Sequence, residues 1–211
     1  MNETFLTPVD LKKRLERILP SQQFLKMEGL GMEVPFFICP FRPQDYNDVQ
    51  NVVSQIISFL KNKGVNVLEL NLYHIAIELL KQQEILEPLF ELEPQTSKSA
   101  FLEQLQSSLD YEEFLIPYIR EILESSPPFD LVFLTGLGET FPYLRTHTLL
   151  NNLQSVICNQ PLVAFYPGNY TYSESDGQTL RLFNVLSNDK YYRAFNILFY
   201  DIQDETNATE N

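Results

Sequence analysis

Val34-Pro35-Phe36-Phe37-Ile38-Cys39, followed at once by Pro40-Phe41-Arg42-Pro43, is the stretch on which the fold turns. A half-buried strand alternates apolar with polar positions. A short uncharged run without alternation instead predicts a strand covered on both faces. Arg42-Pro43 breaks the run. Val49, Val52, Val53, Ile56 and Leu60 then recur at helical spacing up to Gly64, which suits a left-handed cap. Strand, turn and long helix open an α/β unit.

The same grammar repeats downstream. Val65–Leu70 reads as a second strand, and Tyr73–Leu80 begins a helix whose pattern continues to about Phe90. Glu84, Glu87, Glu91 and Glu93 give that helix an acidic face, either solvated surface or a docking face. A Pro/Ser/Thr linker at 93–98 leads into a helix over about 98–108. Asp110-Tyr111-Glu112-Glu113 resembles a capping box for a helix to about 124, in which Pro117 marks a bend or the first turn. Leu131–Leu134 is a third strand, followed by the turn 135–138 and a helix over about 141–154. Pro161–Tyr166 is a fourth strand, stopped by Pro167-Gly168; a polar loop or hairpin over 169–180 and a last strand, Ala194–Tyr200, follow.

At the front, Thr7-Pro8-Val9-Asp10 carries the cap, first-turn proline and acid of a helix start, with Leu11, Leu15, Ile18 and Leu19 as its stripe. A short helix at 21–28 ends at Gly29. Alternating strands and helices predict an open, mostly parallel, twisted α/β sheet of about five strands with helices on both faces, Rossmann-like without a P-loop. One domain spans 1–200, with 1–33 as a helical appendage and 201–211 as an acidic, flexible tail.

The chain has 28 acidic and 15 basic residues, a net charge of −13. Such a surface repels phosphate backbones and anionic lipid, so no direct, non-specific nucleic-acid binding is expected. Lys12, Lys13, Arg14 and Arg17 form the densest basic cluster and read as the solvated face of the first helix. No apolar run reaches the length that spans a bilayer. Cys39 and Cys158, without CxxC partners, read as reduced buried thiols, which suits the cytoplasm.

Ligands of open α/β sheets sit beyond the carboxyl ends of the strands. Those ends carry Arg42, Tyr73 with His74, Gly136 with Gly138, and Tyr166. Pro40-Phe41-Arg42-Pro43 has no glycine and no Lys followed by Ser or Thr, and its prolines lack N–H donors, so it cannot cradle phosphates as a P-loop does. Gly136-Leu137-Gly138 is a tight turn or a fragment of a dinucleotide fingerprint, with Phe141 where the third glycine belongs. Arg145 and His147 form an anion site or hydrogen-bond within the fold. No GxSxG elbow and no His/Cys cluster marks a nucleophile or a zinc site, so no catalytic residue, cofactor or metal is expected.

Two segments are dense in polar-aromatic residues. One runs Thr135-Gly136-Leu137-Gly138-Glu139-Thr140-Phe141-Pro142-Tyr143-Leu144-Arg145-Thr146-His147 and on through Asn151-Asn152 to Leu153. The other combines Phe165-Tyr166-Pro167-Gly168, Leu180-Arg181-Leu182-Phe183 and Tyr191-Tyr192-Arg193-Ala194-Phe195. In order and spacing they resemble the BrxB family of bacterial BREX phage-defence systems, over about residues 5–200. The family's acidic Asp-Pro turn after the first strand stands here as Arg42-Pro43. The resemblance implies a small bacterial cytoplasmic component of a multi-protein complex, an accessory protein without an assigned reaction. Its partners would be other BREX proteins, with a PglZ-type protein first among them. On the residues alone, Arg145 and Arg193 beside Tyr191 and Tyr192 serve as structural braces, interface contacts or ligand donors.

Overall fold

The structure, a computed structural model, describes residues 5–28, 35–173, 177–184, 189–190 and 194–202. Its strands are β1 (Phe36–Phe41), β2 (Val67–Asn71), β3 (Leu131–Thr135), β4 (Leu162–Ser173), β5 (Gly177–Leu182), β6 (Asp189–Lys190) and β7 (Phe195–Asn196). The order β2-β3-β4-β1-β7 forms an open sheet whose five strands are all parallel. The expected sheet is therefore present.

Each central strand feeds two cores by alternation. Phe36, Ile38, Val132, Leu134, Leu162, Ala164 and Tyr166 face one side. Phe37, Cys39, Phe41, Leu131, Phe133, Val163 and Phe165 face the other. The first core is covered by α4 (Leu72–Gln82), α5 (Leu86–Leu92), α7 (Ile116–Ser125) and α8 (Thr146–Leu153), with α6 (Lys98–Ser108) at its margin. The second lies under α1 (Pro8–Ile18), α2 (Gln22–Leu25) and α3 (Tyr46–Asn62). The N-terminal helices expected as an appendage thus pack into this second core, with Leu11, Leu15 and Ile18 buried. Residues 29–33, and the tail beyond Ile202, lie outside the described residues.

Local chemistry accounts for the helix ends. Thr7 Oγ1 accepts from the Asp10 N–H at 3.2 Å, and Asp110 accepts from Glu112 and Glu113 at 2.9 Å each. Gly64, at φ +78°, closes α3 while the Val65 N–H reaches the Leu60 carbonyl and the Gly64 N–H that of Lys61, a Schellman pair.

Several expectations are corrected. The helix expected from Tyr73 to Phe90 is two helices, because Glu84 takes a left-handed conformation (φ +59°) and Pro88 sits in the first turn of α5. The helix expected over 141–154 begins only at Thr146: Pro142 disfavours helix at Phe141, and 140–144 form turns. The strand expected over 194–200 stops at Asn196, whose side chain accepts from the Leu198 N–H at 3.0 Å and turns the chain into a 3-10 helix. Cys158, expected buried, is exposed in the loop after α8, its thiol donating to the Gln154 carbonyl. Cys39 is buried, and burial pushes its thiol pKa up.

The fourth strand does not stop at Pro167-Gly168 but runs through them. Up to Pro167 it pairs with β1; from Gly168 it pairs antiparallel with β5. Pro167 needs no donor at this change of partner, and its carbonyl accepts from the Phe183 N–H at 2.8 Å. A Cβ on Gly168 would lie 2.2 Å from the Arg181 carbonyl oxygen. Gly168→Ala is therefore expected to destabilise the fold by about 1–3 kcal/mol, read as a lower urea midpoint. An unchanged midpoint would show that the hairpin gives way freely.

Candidate functional site at the carboxyl edge of the sheet

The carboxyl ends of β1, β2, β3 and the parallel part of β4 bring together the turns where an α/β sheet holds ligands. Here the protein's own groups occupy much of that edge. Asn71 caps α4, its Oδ1 accepting from the His74 N–H at 3.1 Å. Gly136, at φ +74°, turns the chain directly against this cap; a Cβ there would lie 2.8 Å from Asn71 Oδ1. A Cβ on Gly138 would meet Pro167 at 2.8 Å and the Phe183 ring at 3.1 Å. Both glycines serve packing in a tight turn.

Polar groups bridge the edge. Buried Thr135 donates to Glu69 Oε1 at 2.8 Å, linking β3 to β2. The Tyr46 hydroxyl, at the start of α3, donates to the Glu139 carboxylate, so a helix on one face of the sheet is tied to the turn after β3. Tyr143 donates to the Glu139 carbonyl at 3.3 Å. Arg42 Nε donates to Asp45 at 2.8 Å, so its guanidinium is engaged within its own turn. Burial, then the Glu139 hydrogen bond and charge, push the Tyr46 pKa up. Burial, then the neighbouring Tyr73 and Glu139, push Tyr143 up to about 12.

The residues singled out from sequence are divided. Gly138 and Gly168 meet around Pro167, Arg181 and Phe183, whereas Gly136 packs against Asn71, Leu72 and Tyr73. The Arg145 guanidinium lies 5.0 Å from the centre of the Phe141 ring, which in turn meets Phe183 edge-on at 6.4 Å. The backbone N–H of Arg145 donates to the Tyr111 hydroxyl at 2.6 Å, and its side chain is exposed. His147 Nε2 lies 3.1 Å from Thr148 Oγ1, Asn152 donates to the Thr148 carbonyl, and Asn151 is exposed on α8. Tyr166 is buried in the first core. Tyr191, Tyr192 and Arg193 lie outside the described residues.

Sequence reasoning missed the bridging set of Tyr46, Glu69, Asn71, Glu139 and Tyr143. Glu139 and Tyr143 lie in the polar-aromatic segment 135–153, and Glu69 is a lone carboxylate inside an apolar run, but nothing marked Tyr46 or Asn71. Beside β2, an edge strand, a shallow cleft of about 400 Å³ is lined by Gln50, Glu69, Asn71, His74, Ile75 and Ile122. Its carboxylate, imidazole and two carboxamides suit hydrogen bonding to a polar group. Among the described residues, no three His, Cys, Asp or Glu side chains gather to hold a metal ion. None of the described helices is long and apolar enough to cross a membrane.

Residues 68–197 match the family described as BREX protein BrxB. A protein named BREX protein BrxB from Bacillus cereus (strain H3081.97) is 33% identical over 195 residues, covering 89% of this chain and 97% of that relative. Its namesake from Escherichia coli O9:H4 (strain HS) is 28% identical over 191 residues, 89% of this chain and 92% of that one. No solved structure matches the chain significantly.

The bridging tyrosines give a pH test. With a folded pKa of about 12 against an ordinary 10.0, Tyr143 keeps its proton in the folded chain while the unfolded chain ionises first. Its stabilising effect is complete below pH 10 and is lost as pH rises toward 12. Tyr143→Phe should flatten the fall in urea midpoint across that window. A fall as steep as in the parent would reject Tyr143 as its source.

Proposed function

This chain belongs to the BrxB family of BREX proteins, and from that premise we propose that it is a non-enzymatic protein-interaction subunit of an antiphage BREX complex in the bacterial cytoplasm. Its relatives make it a component of a BREX system. A PglZ-type protein is the partner proposed within that system.

One observation carries the reading: the edge of the sheet where this architecture takes a nucleotide is filled from within. Glycines that elsewhere leave room for phosphates here receive Asn71 and Pro167, and the Tyr46–Glu139 bridge crosses the edge. The first crossover turn offers phosphates nothing in compensation, since Pro43 lacks an N–H and the Asp45 N–H is taken by the Arg42 carbonyl. A scaffold that spends its usual ligand site on internal packing is suited to presenting an outer surface.

The exposed Arg145 guanidinium, stacked on Phe141, favours a second reading as an anion- or nucleotide-sensing domain built on the Gly136–His147 region. Two measurements separate them. Co-expression with the PglZ-type protein of the same system should give a complex that survives size-exclusion chromatography, and calorimetry with ATP, GTP and cyclic nucleotides should show no heat. A tagged chain that co-purifies with no BREX protein would end the first reading; nucleotide binding lost in Arg145→Ala would establish the second.

A further inference from the structure

Helices α5 and α6 carry the least covered surface of the described residues. In α6, eleven residues long, only Ser108 is buried, while Phe101, Leu102 and Leu105 stay half-covered. In α5, Leu89 alone is buried and fixes the helix to the core. Every residue from Phe90 to Gln95 is exposed, Phe90 at 57% and Leu92 at 38%. Helical spacing sets Glu87 one turn before Phe90, with Glu91 adjacent and Glu93 three residues on.

The charge around this aromatic is uncompensated. Residues 84–105 hold Glu84, Glu87, Glu91, Glu93 and Glu103 against Lys98 alone. Among the described residues none of these five carboxylates takes part in an ion pair. An exposed aromatic within a charged rim has the form of an interface anchor, in which the ring fills a pocket and the rim sets orientation and partner.

Charge also selects the occupant. A second copy would bring the same glutamates and another net charge of −13, and phosphates or anionic lipid would be repelled likewise. We propose that Phe90, flanked by Glu87, Glu91 and Glu93, docks into an apolar pocket rimmed by Lys and Arg on another protein of the BREX complex. This rests on the interaction-subunit reading and adds the surface and the chemistry of the partner.

The test uses the full chain co-expressed with the PglZ-type protein of its own system. Dissociation constants are measured at several salt concentrations for the parent, Phe90→Ala, the double variant Glu87→Lys/Glu91→Lys, and Phe199→Ala, an exposed aromatic on the other face. Phe90→Ala should weaken binding roughly tenfold or more. The double charge reversal should also weaken it and flatten its salt dependence, whereas Phe199→Ala should bind as the parent does. All the altered side chains are exposed, and thermal melts verify that each variant folds. If the parent binds and both α5 variants bind equally well, the surface is wrong and the interaction reading stands. If the parent binds no BREX protein, both fall. Self-association of the parent that Phe90→Ala abolishes would make the occupant a second copy and overturn the choice of partner.

Discussion

Double burial of the central strands is the constraint from which the rest follows. All of β1 and β3, and residues 162–167 of β4, are covered on both faces. Each then needs apolar side chains, with the one polar residue, Thr135, standing at the carboxyl end of β3, and a helix layer on either side. Neighbouring residues along one strand belong to different cores, so a slip of one residue would exchange them all. Aromatic contacts hold the register: Phe133 meets Phe165 edge-on at 5.1 Å, and Phe37 packs on Phe24 of α2 at 4.8 Å. Parallel pairing in turn requires long crossovers, which is why helices separate β1, β2, β3 and β4 in sequence.

That arrangement directs polarity to the carboxyl edge. No charged side chain is buried among the described residues, and several of the few buried polar ones cluster where the strands end, as Thr135 and Thr140 do. Thr135 satisfies itself on Glu69 and Thr140 on the Leu137 carbonyl, so the edge is knitted rather than left open. Gly136 and Gly138 bring neighbouring elements into contact with the turn that a ligand would otherwise enter.

The parallel sheet was legible because continuous apolar runs have one economical interpretation, and the α3 cap because Gly64 stands where the periodicity ends. What stayed hidden depends on partners distant in sequence. Nothing near Pro167-Gly168 announces that Arg181 will approach so closely that only glycine fits, so the pair reads as a stop when it is a change of partner. Nothing in Tyr46 points to Glu139, 93 residues away. The break at Glu84 was concealed for another reason: a left-handed residue other than glycine leaves no mark, and only Pro88 hints that a new helix begins.

The same economy shapes the surface. Among the described residues the core holds no charge, so the chain's excess of 28 acidic over 15 basic residues lies outward there, and the ion pairs are few. Most are three or four residues apart on one helix, where each contributes only a few tenths of a kcal/mol. The excess negative charge is therefore not spent on folding. It costs the isolated chain self-repulsion, which a partner of opposite sign relieves while its approach is accelerated. Because the relief comes on contact, electrostatics favours the assembled over the solitary state most strongly where carboxylates stand unpaired beside exposed apolar groups.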